Sequence, residues 1–386
     1  MVKRQYWLKI IETAWKRKNV IWLSGVRRSG KTVLAQSLGG IEYFDCELPH
    51  VRRRMEDPES FLEGLEGKRV VLDEIHRLPN PSELLKIAAD HYPTVRVLAT
   101  GSSTLGAARK FRDTLAGRRV VLWLTPMISR DLEDFRSPLL HHRLEKGGLP
   151  PFFISRSNQE REYQDWLDSY WSKDILELFR LSRKDSFQKF FELILAQSGG
   201  IFEANSFARP CEVSRGTINH YLAAMEATHV ASVVRPFTTR RKTEIVSAPK
   251  VYGFDTGFVA YYRGWKELRD EDWGLLWEHY VLNELQARFQ TKRILYWRDK
   301  AGHEVDFVLA GRGGGRLLAV ECKNSDKDRR LEGLQAFQRA YPKALLRVVV
   351  PGLKSPYRAR VGAADIQWTG LENLIGESGK FFPASV

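Results

Sequence analysis

The chain has 386 residues, 61 Lys and Arg against 47 Asp and Glu, a formal charge of +14 and 43% hydrophobic residues. That composition excludes a disordered protein, and because one core stops growing beyond roughly 250–300 residues it predicts two to four domains. Apolar runs such as Val20–Leu23 fall far short of the roughly 20 residues that cross a bilayer, and Met1–Asn19 is cationic and amphipathic rather than a signal sequence, so a soluble cytoplasmic protein with no membrane partner is expected.

Cys46, Cys211 and Cys322 are odd in number and far apart, which excludes a disulfide framework and a Cys-rich metal site. The positive charge favours a polyanionic partner, and its largest share falls in residues 1–125.

Residues 20–124 alternate β-rich runs, at 20–24, 69–73, 95–99 and 119–124, with helical periodicity, the pattern of an α/β parallel sheet covered by helices. The first run leads into Gly25-Val26-Arg27-Arg28-Ser29-Gly30-Lys31-Thr32, which fits GxxxxGK[ST] between an apolar strand and a helix. There the glycines let backbone N–H groups wrap phosphates, Lys31 neutralises the β and γ phosphates, and the Thr32 hydroxyl ligates magnesium. About forty residues on, Val70-Val71-Leu72 ends in Asp73, the candidate for the magnesium shell, and Glu74, the candidate general base. ATP and magnesium are therefore the expected cofactors, with hydrolysis rather than binding alone.

The third run ends in Thr100-Gly101-Ser102-Ser103. Thr100 or Ser102 is a candidate for sensing the γ phosphate or orienting water, and a plain strand-end turn explains the same letters. Leu115-Ala116-Gly117-Arg118-Arg119 then places two arginines before the last strand of this unit. From Leu132 to about Gln197 the pattern is helical, interrupted by Gly147-Gly148-Leu149-Pro150-Pro151, as expected of a helical lid and connector.

Ser206–Glu226 reads as a helix, a tight turn and a second helix capped by Ser214, with Ile218, Leu222 and Met225 inward. Arg215, Thr217, Asn219 and His220 occupy its other face, a polar set suited to phosphates or base edges. A hairpin of 230–236 and 244–252 around Arg240, Arg241 and Lys242 completes a winged helix with a basic wing, for which DNA is the expected partner and a protein contact the alternative.

After Asp270 a helix over Leu275–Phe289 precedes strands near 294–297, 304–309, 317–322 and 345–350. Period-two geometry puts Glu321 and Lys323 on one side of their strand with Cys322 on the other, converging with Asp306, and Glu278 is placed to complete a metal site. A buried ion pair between Asp306 and Lys323 is the alternative.

The phosphate loop, Leu72–His76, Thr100–Ser103, Leu115–Arg118, Gly147–Pro150, Lys250-Val251-Tyr252-Gly253-Phe254-Asp255 and Trp297-Arg298 with Glu304–Asp306 together resemble an AAA+ ATPase. More narrowly, the chain resembles the bacterial and archaeal group whose ATPase core precedes a winged-helix and PD-(D/E)XK nuclease-like region. His76 departs from that group, which often has Gln there. The resemblance implies a homo-oligomeric ring, a hexamer foremost, with Arg118 as the arginine finger reaching a neighbour's γ phosphate, and the alternative is that Arg118 and Arg119 simply flank a strand on the surface. It implies an ATPase core over 1–125, a lid over 126–185, a winged helix over 186–265 and a nuclease-like α/β domain over 266–386. The activity expected is ATP-driven DNA translocation or unwinding, with an ATP-gated endonuclease or a nucleotide-switched DNA-binding regulator as alternatives.

Overall fold

The structure is a computed structural model that describes residues 2–101, 109–137, 139–155, 159–176, 179, 181, 183–238, 248–311 and 316–382. Of the candidate site residues, Ser102, Arg240, Arg241 and Lys242 lie outside the described residues. No helix among the described residues is long and apolar enough to cross a membrane.

Five parallel strands, β1 (Val20–Ser24), β2 (Ile41–Asp45), β3 (Arg69–Asp73), β4 (Arg96–Thr100) and β5 (Arg119–Trp123), form a sheet in the order β2-β3-β4-β1-β5. All five residues of β1 are buried, as expected of a central strand covered on both faces. Alternate side chains build two cores, with Ile21, Leu23 and Leu98 on one face and Val20, Trp22, Val70 and Val97 on the other. β2 carries no apolar run in the sequence, because only Phe44 of its five residues is buried. The register sets Leu23 beside Thr100, Ser24 beside Trp123 and Leu72 beside Ala99. Ser24, Asp73 and Thr100 thus end at one sheet edge, and the carboxyl ends of parallel strands are where such sheets bind ligands.

Eight strands make the second sheet, β6 (Ala231–Pro236), β7 (Lys250–Gly253), β8 (Leu295–Arg298), β9 (Glu304–Ala310), β10 (Leu317–Cys322), β11 (Leu345–Val349), β12 (Tyr357–Val361) and β13 (Ala364–Thr369), in the order β12-β13-β11-β10-β9-β8-β6-β7. The hairpin expected as a separate wing is therefore part of a larger sheet. β6 pairs antiparallel with β7 on one side and parallel with β8 on the other, through Arg235 beside Leu295 and Pro236 beside Tyr296. Pairing satisfies edge N–H and C=O groups that a free hairpin leaves to water.

One core cluster runs from Val26 in the phosphate loop through Trp166, Phe191, Tyr221, Phe254 and Tyr280 to Phe382. The helix Asp270–Phe289 crosses it and is buried nearly all round, including the polar His279, Asn283, Glu284 and Gln286. Those polar groups are committed: Asn283 Nδ2 donates to Pro126 O at 3.1 Å, and the Ser129 amide donates to Glu284. Just past the helix, Gln290 Oε1 accepts from the Trp123 amide at 2.6 Å, a side chain continuing the hydrogen bonding of β5.

His279 carries a pH prediction. Its Nε2 lies 2.6 Å from Ser198 Oγ and its Nδ1 2.7 Å from Leu275 O. Burial, opposed by the Leu275 carbonyl and Glu278, lowers its pKa from 6.5 to about 4. The fold holds the neutral ring, so the stability it supports is full above pH 6.5 and is lost as pH falls through 4. At about 1.4 kcal/mol per pK unit the loss approaches about 3 kcal/mol. Urea midpoints at pH 7 and pH 4 test this: His279→Gln should drop less than wild type between the two, and equal drops would contradict it.

Candidate functional site: the nucleotide cavity and its surroundings

At the carboxyl edge of the five-stranded sheet, β1 runs into a loop with Gly25 at φ 151, Arg28 at φ 63 and Gly30 at φ 93 before the helix Lys31–Gln36. Gly25 has no room for a side chain, since a Cβ there would sit 2.4 Å from Leu124 O. Lys31 Nζ donates to Gly25 O at 2.9 Å and Val26 O at 3.2 Å, within the loop it serves. Burial lowers its pKa, opposed by Glu74, Asp174 and Asp73. The Val26 side chain is core, so only its backbone faces the loop, and Ser29 Oγ is buried with no hydrogen-bond partner among the described residues. Arg4 braces the loop from outside by donating to Ser29 O at 2.9 Å while paired with buried Asp131.

The acidic pair is more tightly organised than its letters indicate. Asp73 is buried, and its Oδ2 accepts from Tyr43 Oη at 2.6 Å while its Oδ1 accepts from Thr100 Oγ1. Burial and the bond to Asp73 push the Tyr43 pKa up, so the phenol stays a donor. Thr100 Oγ1 also accepts the Glu74 amide at 3.2 Å. Thr100 is fully buried, and its hydroxyl bridges the Asp73 carboxylate and the Glu74 backbone amide. Glu74 takes a left-handed φ of 51, and its Oε2 lies 3.1 Å from His76 Nδ1. Burial raises its pKa, but the His76 hydrogen bond and the charges of Lys31, His76 and Arg27 outweigh it, leaving a net lowering. Oxygen donors from Thr32 and Asp73 suit a hard cation that keeps several of its waters.

Lys31, Thr32, Glu74 and His76 line a cavity of about 760 Å³, within the usual range for small-ligand sites. Arg28, Lys31, Thr32, Glu74 and His76 form its polar side, and Val2, Phe135, Pro150, Pro151 and Ile154 an apolar wall. Arg27 lines the same cavity, and its Nε donates to Asp174 Oδ2 at 2.8 Å on the π-helical turn Trp171–Leu176. Its carbonyl accepts from Trp166 Nε1 at 3.3 Å, so the helix Gln159–Tyr170 and the turn that follows it hold Arg27 by backbone and side chain.

The Gly-Gly-Leu-Pro segment is fixed by Asp255. Asp255 Oδ2 accepts the Gly148 amide at 2.6 Å, while Oδ1 accepts the amides of Gly257 and Phe258 at 3.0 and 3.4 Å and caps the helix Thr256–Tyr262. A Cβ on Gly147 would fall 2.1 Å from Asp255 Oδ1, and one on Gly148 2.2 Å from Arg143 Nη2. Two motifs about a hundred residues apart are therefore halves of one junction behind the apolar wall.

Arg118 lies before β5, at the sheet edge opposite the phosphate loop of its own chain, with Nε 2.7 Å from Asp90 Oδ1. In the helix pair, Ser214 Oγ accepts the Thr217 amide at 3.1 Å, and Ile218, Leu222 and Met225 are buried. Arg215, Asn219 and His220 are exposed along the helix Arg215–Ala227. Thr217 departs from the expected set, since its hydroxyl lies 3.0 Å from Ser214 Oγ and belongs to the cap.

The carboxylates of the second sheet come together around a cation the sequence reading left out. Lys250 Nζ lies 3.0 Å from Glu278 Oε1 and 2.8 Å from Glu304 Oε1, and Tyr252 Oη donates to Glu278 Oε1 at 2.5 Å. Asp306 Oδ2 accepts the Cys322 amide at 2.7 Å, and Lys323 Nζ pairs with Glu321 Oε1 at 3.0 Å. Lys323 therefore pairs with Glu321 and not Asp306. Burial, then the charges of Glu278 and Glu321, push Asp306 upward, and burial pushes Glu321 to about 7 against the pull of Lys323. Among the described residues no group of three His, Cys, Asp or Glu is placed to hold a metal ion, and Glu278 is engaged by Lys250 and Tyr252.

Residues 17–133 match a family described as an AAA domain, and the sheet order, the glycine loop and the acidic pair fit a P-loop ATPase. Two further families, each described as a domain of unknown function, match the rest: DUF8612 over residues 137–269 and DUF4143 over residues 273–367. Uncharacterized proteins of Mycobacterium tuberculosis and Mycobacterium bovis are each 27% identical over 354 residues, covering 89% of this chain and 78% of the relative. Among solved structures, a Walker-type ATPase of Pyrococcus abyssi covers 68% of this chain and 96% of its own at 14% identity and a TM-score of 0.44. AMPPCP-bound DnaA from Aquifex aeolicus covers 56% and 86% at 12% identity and a TM-score of 0.29.

Proposed function

We propose that this chain hydrolyses ATP and couples the hydrolysis to binding and remodelling DNA, as an oligomeric translocase or helicase. The observation that carries the hydrolytic part is Glu74, ionised and held 3.1 Å from His76, on the same cavity wall as Lys31 and Thr32. The loop amides from Gly25 to Thr32 and the Lys31 ammonium bind the triphosphate. Thr32 and Asp73 would hold magnesium, which would neutralise phosphate charge. Thr100 and Tyr43 keep Asp73 oriented, and Glu74 takes the proton of the attacking water. Arg118 faces away from this site, which fits service to a neighbouring copy in a ring, six-membered by resemblance.

The DNA part is supported by Arg215, Asn219 and His220 on one exposed helix face, with Arg240, Arg241 and Lys242 in the segment joining β6 to β7. The reading of the last unit as an ATP-gated endonuclease is supported less, because Lys250 supplies the counter-charge a metal would bring. Replacing Arg215, Arg240, Arg241 and Lys242 with Glu should weaken duplex binding at least about tenfold and flatten its salt dependence by about one log unit per lost phosphate contact. Unchanged DNA affinity would remove DNA from the account.

A further inference from the structure

The end of the helix that carries Arg215, Asn219 and His220 touches the strand that carries the phosphate loop. His229, two residues past that helix and at a left-handed φ of 61, places Nε2 2.8 Å from Ser24 Oγ, one residue before Gly25. Its ring stacks on Trp123 of the neighbouring strand β5, with centroids 4.8 Å apart and planes 20° apart. Thr228, the residue before it, shares a hydrogen bond of 2.6 Å with Tyr170 Oη on the lid helix and donates back to Ala224 O at 2.8 Å. Lys292 Nζ closes the cluster, donating to Glu226 O at 3.3 Å above the Trp123 ring.

Resting on the proposed DNA-coupled function, we infer that His229 is a positioning residue joining the helix Arg215–Ala227 to the phosphate loop through Ser24. Three features make this junction more than packing. The His229 ring is neutral, since burial and then the charges of Lys292 and Lys31 push its pKa well below the usual value. Its Nδ1 is buried with no hydrogen-bond partner among the described residues, so Ser24 is the polar contact that fixes the ring. On the loop side, a phosphate arriving at the helix N-terminus competes with the carbonyls of Gly25 and Val26 for Lys31, and the loop must rearrange directly beside Ser24. A change at either end is felt at the other because the route is one hydrogen bond and one ring stack long, and such coupling is reciprocal.

Hydrogen exchange of the full chain, with and without AMPPCP and magnesium, tests the junction without DNA. In the wild type the analogue should change exchange of the amides at 221–230 by about fivefold or more, the lower end of typical coupling. His229→Phe keeps a ring against Trp123 but removes the bond to Ser24, and should abolish that change while the loop amides still respond. Ser24→Ala cuts the same bond without touching the left-handed turn, and carries the test if His229→Phe folds poorly. The inference is overturned if residues 221–230 do not respond in the wild type, or respond in the variants as strongly as in the wild type. A second arm compares duplex affinity with and without AMPPCP, and the ratio should return to about one in His229→Phe. A wild type that binds no DNA sinks the DNA reading, whereas the exchange arm alone decides the junction.

Discussion

Glu74→Gln is expected to lower ATP turnover by about 10²- to 10⁴-fold, the range for losing a general base, while leaving nucleotide affinity nearly unchanged. The substitution preserves size and the contact with His76 but removes the group that accepts the proton. In the native site the base form is ready at neutral pH, because His76, Lys31 and Arg27 together hold the carboxyl below its usual range despite burial. Binding should survive because the loop amides, Lys31 and Thr32 are untouched. Lys31→Ala makes the contrast, since it removes the cation facing the phosphates and should weaken binding itself. Turnover and AMPPCP titration separate the two variants, and a Glu74→Gln enzyme keeping more than about a third of wild-type turnover would remove Glu74 from the chemistry.

Asp255→Ala is expected to give the largest stability effect, about 2–4 kcal/mol. Losing a helix cap costs about 0.5–2 kcal/mol, and leaving the buried Gly148 amide unpaired costs about 1–3 more. The melting temperature should fall by several degrees. Nucleotide affinity should fall with it, although Asp255 is not among the residues lining the cavity, because Gly148 holds Pro150 and Pro151 in the apolar wall. A thermal scan and an AMPPCP titration check both effects. An unchanged melting temperature would mean that the junction of Gly148 and Asp255 carries no load.

The contrast between these sites shows what was legible in the sequence. Gly25–Thr32 and Leu72–Glu74 could be read because their chemistry is local: a loop and a strand end carry all the donors and acceptors they need. Lys250–Asp255 was visible as a motif, but its work was not, since Lys250 meets Glu278 and Glu304 and Asp255 meets Gly148 only through long-range packing. Arg4 and Tyr43 gave no signal, being ordinary residues made important by what folds against them. Hydrophobic alternation found the strands of the hairpin but not their partner, because a two-residue parallel pairing with β8 leaves no pattern in either strand. β12 escaped for the reason β2 did, with no fully buried residue along its length.

The most direct test of the central claim is the steady-state ATP hydrolysis rate of the full chain, measured alone and with single-stranded, duplex, forked and four-way DNA, with unwinding and cleavage scored in the same samples. The account predicts that at least one DNA form raises turnover several-fold and is unwound, with both effects lost in Glu74→Gln. Slow turnover that no DNA changes, or DNA cleavage that survives Lys31→Ala, would contradict it.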